Sequence, residues 1–145
     1  MVTNDELWAP LKDELFDYQI EGSRFLSAAE GFGLLHWDMG VGKTPTTIEA
    51  INQVGGSVLI LCPAVATRNW VRELRKWLRT DQTVELAANS KAPCQADIVV
   101  ASYNIAVGLG VHSKVVNRQF DTLVLDEIQY LKNMKSIRTG CVLGF

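Results

Sequence analysis

Apolar and polar positions alternate along the chain in two different rhythms. Residues 11–30, LKDELFDYQIEGSRFLSAAE, carry Leu15, Tyr18, Phe25 and Leu26 at helical spacing and stop before Gly31 and Gly33, which predicts a helix. Residues 32–37, FGLLHW, form an apolar run too short for a helix and predict a buried strand leading into a glycine loop. A helix is expected from Lys43 to about Val54, stopped by Gly55 and Gly56, then a buried strand in SVLILCP, 57–63, closed by Pro63. Residues 66–79 are amphipathic: Trp70, Leu74, Trp77 and Leu78 share one face, opposite Arg72, Arg75 and Arg79. TVELA predicts a weak strand, DIVVASY a strong one, and DTLVLDE the strongest, ending in two acids. Strands alternating with helices predict an α/β fold: a parallel β-sheet flanked by helices on both faces.

Composition narrows the class. The chain has 145 residues, 48% hydrophobic and 21% charged, with a net charge of -2, which suits one globular domain without a global basic field. Nucleic-acid contacts would therefore need a local patch. Cys62, Cys94 and Cys141 form no CxxC pair and no histidine stands at metal-ligand spacing, so the thiols read as small core residues in a reduced, cytoplasmic compartment. The N-terminal MVTNDELWAP has acids where a signal peptide needs bases. No segment approaches the roughly 20 apolar residues of a membrane span.

The candidate chemistry lies in HWDMGVGKTPTTIEA, residues 36–50. In a strand–loop–helix turn, glycines let consecutive backbone N–H groups converge on phosphate oxygens, and the helix dipole favours the anion. The segment Met39, Gly40, Val41, Gly42, Lys43, Thr44 offers that loop, with Lys43 for the β- and γ-phosphates and the Thr44 hydroxyl for Mg²⁺. Trp37 stands where the strict GxxxxGK[ST] pattern has its first glycine, and Pro45 is tolerated in the first helical turn. The bland alternative is a glycine-rich turn with a solvated lysine. TLVLDEIQ adds Asp126 and Glu127 at the carboxyl end of a strand, the edge where open α/β sheets bind ligands. One carboxylate would hold a metal and the next would orient or deprotonate water. Together the two motifs point to Mg²⁺-ATP.

LFDYQIEGSRFL, DMGVGKTPTTI, LILCPAVATRNWVRELRKW, DIVVASYNI and LVLDEIQYLKN stand in the order and spacing of the Swi/Snf-type ATPases of helicase superfamily two. The chain resembles their first RecA-like lobe from about residue 11 onward, and its CP…NW…E…KW signature separates it from DEAD-box RNA helicases. The resemblance implies that Gln19 reads the adenine edge, that Gly40, Gly42, Lys43 and Thr44 bind phosphate, that Asp126 holds Mg²⁺ and that Glu127 is the catalytic acid. The family too has a non-glycine where Trp37 stands. Gln129 departs from the usual DEAH histidine, which couples the nucleotide to the second lobe. Pro63 and the residues after it, with Ser102 and Tyr103, match the segments lining a groove for double-stranded DNA. Thr67, Arg68, Asn69 and Lys132 are candidate phosphate contacts.

The same resemblance sets expectations for what lies outside these blocks. The single domain, residues 1–145, would stop before the family's threonine-glycine motif strand, and the second RecA-like lobe would be supplied in cis or in trans. Arg118 and Arg138 are poor substitutes for that lobe's arginines, so hydrolysis by the lobe alone is expected to be slight. The compact spacing favours a phage or bacterial setting, with a nuclear one if the source is eukaryotic. The competing class is a stand-alone module that binds nucleotide, DNA or protein and hydrolyses little.

Overall fold

The computed structural model describes residues 15–29, 33–37, 40–91, 93–107 and 118–132. Its elements are α1 (Asp17–Ala28), α2 (Lys43–Val54), β1 (Val58–Cys62), a 3-10 turn (Ala64–Ala66), α3 (Thr67–Trp77), β2 (Val84–Leu86), β3 (Ile98–Ser102), α4 (Tyr103–Val107), β4 (Thr122–Leu125) and a second 3-10 turn (Ile128–Leu131). The four strands are parallel in the order β2-β3-β1-β4. The expected parallel α/β sheet with its helices is present. None of the helices among the described residues is long and apolar enough to cross a membrane.

Two compact units divide the chain, Met1–Gly55 with Glu73–Thr80 and Gly56–Arg72 with Asp81–Phe145. The second unit holds the sheet. β1 and β3 are buried along their whole length, which explains why their sequences read as unbroken apolar runs and not as alternation. Leu59, Leu61, Val99 and Ala101 pack with Ala87, Cys94, Tyr103, Ala106 and Leu131 in one core. β4, the strongest strand by sequence, is an edge strand among the described residues, with Leu123 44% exposed. The short helix α4 has no counterpart in the hydrophobic pattern, because five residues are too few for a period. It follows Ser102, whose Oγ accepts from Ile105 N at 3.2 Å, as an N-capping serine does.

In the first unit α1 packs on α2. Gln53 Nε2 donates to Ser23 Oγ at 3.2 Å, and Ser27 Oγ donates to Gln53 Oε1 at 2.5 Å. Buried Glu49 on α2 pairs with Arg79, while Asn52 donates to Trp77 O at 3.1 Å and accepts from Arg79 N at 2.9 Å. Burial pushes the Glu49 carboxyl up; Asn52 and Arg79 oppose that shift. The predicted strand at 32–37 is corrected here: residues 33–37 form no strand, and Leu34 is 57% exposed. A strand needs a neighbouring backbone, whereas Trp37 is held against α1. A Cβ on Gly22 would lie 2.6 Å from the Trp37 ring, so only glycine lets the ring lie on that helix.

Two reciprocal bonds precede the strands and set their register. Asp121 Oδ2 accepts from Ser57 N and Ser57 Oγ, both at 2.8 Å, and Asp121 N donates to Ser57 Oγ at 3.1 Å. Asp97 Oδ2 accepts from Thr83 N and Oγ1, both at 2.8 Å, and Asp97 N donates to Thr83 Oγ1 at 3.0 Å. Each pair stands one residue before a registered pair, Val58↔Thr122 and Val84↔Ile98. These donors favour the ionised carboxylates and hold both aspartates below the usual value of 3.8. A folded-state value below the unfolded one gives stability that is present above pH 3.8 and lost as pH falls through the folded values. The doubly substituted chain Asp97→Asn, Asp121→Asn is therefore expected to be less stable at pH 7 and to lose less on acidification than the parent. Urea midpoints measured from pH 7 down to pH 2.5 check this, and parallel acid limbs for both proteins would contradict it.

Candidate functional site

The glycine loop leads into α2 in the first unit. Gly40 (φ 81°) and Gly42 (φ 80°) are left-handed, a conformation that costs an L side chain roughly 1–2 kcal/mol. Gly42 is the N-cap of α2 and no side chain caps that terminus. The first backbone N–H groups of α2 are thus left without an intrahelical acceptor, the arrangement that suits an anion. Thr46 and Thr47 turn their hydroxyls back onto Gly42 O (2.9 Å) and Lys43 O (2.8 Å). Thr44, half-buried in the same turn, makes no such back-bond. Lys43 Nζ donates to Trp37 O at 2.8 Å.

Gln19 sits beneath this loop, 5% exposed. Its Oε1 accepts from Phe16 N at 2.9 Å, the return half of a capping box at the start of α1. Its Nε2 donates to Val41 O at 3.1 Å, with a longer contact of 3.5 Å to Gly42 O, and Tyr18 OH donates to Val41 O at 3.0 Å. A Cβ on Gly42 would collide with the Gln19 amide nitrogen, so this glycine answers both to its φ and to a close approach. Beside the loop lies an open cleft of about 400 Å³ lined by Tyr18, His36, Trp37 and Val41. Trp37 meets Tyr18 edge-on at 5.5 Å, and Phe16 stacks on Tyr18 at 5.7 Å. Met39 lies outside the described residues, as does Arg138.

In the second unit Asp126 and Glu127 follow β4. Asp126 N donates to Leu61 O at 2.8 Å and extends the ladder one residue past the Leu61↔Leu125 pair. Trp70 Nε1 donates to Asp126 Oδ2 at 2.9 Å, and Tyr103 OH donates to Asp126 O at 2.7 Å. Tyr103 stacks on Tyr130 with ring centroids 5.6 Å apart. Glu127, at φ 55°, is the one non-glycine residue with positive φ among those described. Its carbonyl accepts from Tyr130 N at 3.0 Å, and its carboxylate accepts from Gln129 Nε2. Gln129 is thus bonded to the neighbouring acid.

The outer candidates divide by exposure. Thr67, Ser102 and Tyr103 are buried, with Thr67 Oγ1 donating to Ala64 O at 2.9 Å and Tyr103 only 2% exposed. The structure gives the side chains of all three internal hydrogen-bond partners. Arg68, Asn69 and Lys132 are exposed, and Asn69 accepts from Arg72. Trp70, read from sequence as core, is 3% exposed and also the donor to Asp126. The signal for that second role was its indole N–H, which seeks an acceptor when buried. Arg118 is committed to Cys94 O (3.2 Å), Ala96 O (2.6 Å) and the face of Phe120. Cys62 is buried as expected; burial, with the Asp126 charge, pushes its thiol up to about 12.

In the first unit the loop suits an anion, and in the second, Asp126 offers a carboxylate oxygen to a cation. The loop offers uncapped N–H groups and a lysine, and Asp126 keeps Oδ1 without a hydrogen-bond donor among the described residues. No group of three or more His, Cys, Asp or Glu that could hold a metal alone occurs among them. A cation at Asp126 would take its remaining ligands from water and other oxygens, as Mg²⁺ commonly does.

Comparison with known proteins gives the family. The family model for the SNF2-related domain matches residues 18–143. The ISWI chromatin-remodeling complex ATPase ISW1 of Saccharomyces cerevisiae is 29% identical over 94% of this chain and 14% of its own length. The SWI/SNF-related matrix-associated actin-dependent regulator of chromatin subfamily A-like protein 1 of Xenopus tropicalis is 27% identical over 88% of this chain, again 14% of its own. A solved structure, the Sulfolobus solfataricus SWI2/SNF2 ATPase core in complex with dsDNA, superposes with a TM-score of 0.78 at 26% identity, covering 89% of this chain and 29% of that one. The chain thus spans about a seventh of each of these two relatives. It belongs to the SNF2-related domain family and has the fold of the N-terminal RecA-like lobe of a Swi/Snf-type superfamily-two ATPase.

Proposed function

We propose that this chain is the ATP-binding motor lobe of a DNA-dependent, Swi/Snf-like ATPase that translocates on double-stranded DNA. The observation that carries the reading is the loop: two left-handed glycines feed directly into an uncapped helix bearing Lys43 and Thr44. In this role the backbone N–H groups of residues 42–44 bind phosphate oxygens, and Lys43 exchanges Trp37 O for the β- and γ-phosphates. Thr44 and Asp126 are each a candidate Mg²⁺ ligand, and the ion would neutralise charge on the phosphates. Glu127 orients and deprotonates the attacking water, with Gln129 fixing its carboxylate. Exposed Arg68, Asn69 and Lys132 are the contacts for DNA phosphates.

Turnover needs a second RecA-like lobe, in cis or in trans. Phosphoryl transfer requires positive charge on the γ-phosphate, and an arginine finger contributes about 10³–10⁵ in rate. Arg118 is already bonded to two carbonyls and stacked on Phe120. The lobe by itself therefore binds ATP and hydrolyses it poorly.

Lys43→Ala should weaken binding of a fluorescent ATP analogue by about ten- to a hundredfold, the size of a lost charge-assisted hydrogen bond. Equal affinities for variant and parent would remove the phosphate-loop reading. Gln19→Ala tests the brace beneath the loop. Because its amide bonds Val41 O and Phe16 N, the substitution should weaken tripolyphosphate as well as ATP, with any surplus loss for ATP measuring adenine contact. Calorimetric titration that left tripolyphosphate unaffected would contradict the brace.

A further inference from the structure

The acceptor of the Trp70 indole is a carboxylate of the site itself. A buried indole N–H commonly finds any nearby oxygen, and a backbone carbonyl would serve. Trp70 instead gives its N–H to Asp126 Oδ2 at 2.9 Å, and Tyr103, also buried, gives its O–H to the carbonyl of the same residue at 2.7 Å. With Asp126 N donating to Leu61 O at 2.8 Å, the residue is fixed through its amide, its carbonyl and one carboxylate oxygen. Oδ1 alone is left without a hydrogen-bond donor among the described residues. The Tyr103 bond acts on the peptide plane joining Asp126 to Glu127, and that plane leads into the left-handed backbone at Glu127. The stacked Tyr130 closes the other face of Tyr103 and returns a hydrogen bond to Glu127 O.

We propose that Trp70 is a positioning residue for the Asp126 carboxylate: its N–H takes Oδ2 and thereby sets Oδ1 as the oxygen for the cation of a bound nucleotide. Tyr103 does the same for the peptide plane and so aims Glu127. The inference rests on the reading of Asp126 as the cation-holding carboxylate. It assigns to an apparently hydrophobic tryptophan a polar task at the reacting centre's edge. A free carboxylate rotates and presents either oxygen; a donor fixed on one of them removes that freedom before the cation arrives. The charge-assisted bond is also stronger than a neutral one and survives in a buried setting.

The test uses the full chain and separates the cation from the nucleotide. ATP affinity is measured by calorimetry in Mg²⁺ and in EDTA for the parent, Trp70→Phe and Trp70→His, the last retaining a ring N–H. We expect Mg²⁺ to tighten ATP in the parent, and Trp70→Phe to lose roughly tenfold of that gain, as removal of one charge-assisted bond implies, with its affinity in EDTA unchanged. Trp70→His should recover part of the loss. A second readout leaves Trp70 itself in place. In the ¹⁵N-labelled parent, the Trp70 indole N–H resonance should broaden when Mn²⁺ is added with ATP, and Asp126→Ala should abolish the broadening. A Trp70→Phe chain with the parental Mg²⁺ gain, equal losses in Mg²⁺ and EDTA, or a Trp70 resonance indifferent to Mn²⁺ would each overturn the inference. A parent whose ATP affinity ignores Mg²⁺ would overturn the cation reading of Asp126 itself, and this inference with it.

Discussion

Three hydrogen bonds on Asp126 tie the sheet, the helix after β1 and the helix after β3 to one acidic residue. Leu61 O holds its amide, Tyr103 its carbonyl and Trp70 its carboxylate. The pairing of β1 with β4 places Asp126 at the carboxyl end of the sheet, and the burial of β1 and β3 gives that end a rigid base. Glu127 then adopts a conformation that costs on the order of 1–3 kcal/mol in a non-glycine residue. Such a residue persists only where its surroundings determine it, and here the surroundings are the Tyr103 bond, the Tyr130 amide and the Gln129 side chain.

The first unit follows the same logic with different parts. Its loop needs two residues in the left-handed region, and both positions are glycine. A loop with that freedom has little to hold it, and the Gln19 amide with the Tyr18 hydroxyl supplies the missing bonds to Val41 O. Lys43 is drawn back to Trp37 O, whose ring is held in turn over Gly22. The unit thus keeps its loop and Lys43 in place with bonds that leave the N-terminal N–H groups of α2 open.

Much of this was legible in the sequence, for physical reasons that also explain what was not. β1 and β3 announce themselves because strands buried on both faces are unbroken runs of β-branched and aliphatic residues. The start of α2 is legible because glycine, lysine and threonine at that spacing serve phosphate chemistry, and its end because Gly55 takes φ 63°. Residues 33–37 misled because an apolar run does not say whether its partner is a strand or, as for Trp37, the groove left by a helix glycine. Trp70 was legible as buried but not as a donor, since helical spacing reports which face is apolar and not where an N–H points. The bonds by which Ser102 caps α4 and Tyr103 reaches Asp126 O have no local sequence pattern of their own. The Ser57–Asp121 and Thr83–Asp97 bonds join residues distant in sequence, so no local pattern marks them.

The central claim is that the glycine loop and the start of α2 form a nucleotide-phosphate site. Amide hydrogen exchange of the full chain, with and without Mg²⁺-ATP, tests it most directly, because the groups said to bind phosphate are the exchanging amides themselves. The account predicts that exchange at residues 41–46 slows markedly when nucleotide is added, with slowing at residues 126–130 as well. Unchanged exchange at residues 41–46 under saturating Mg²⁺-ATP would contradict it.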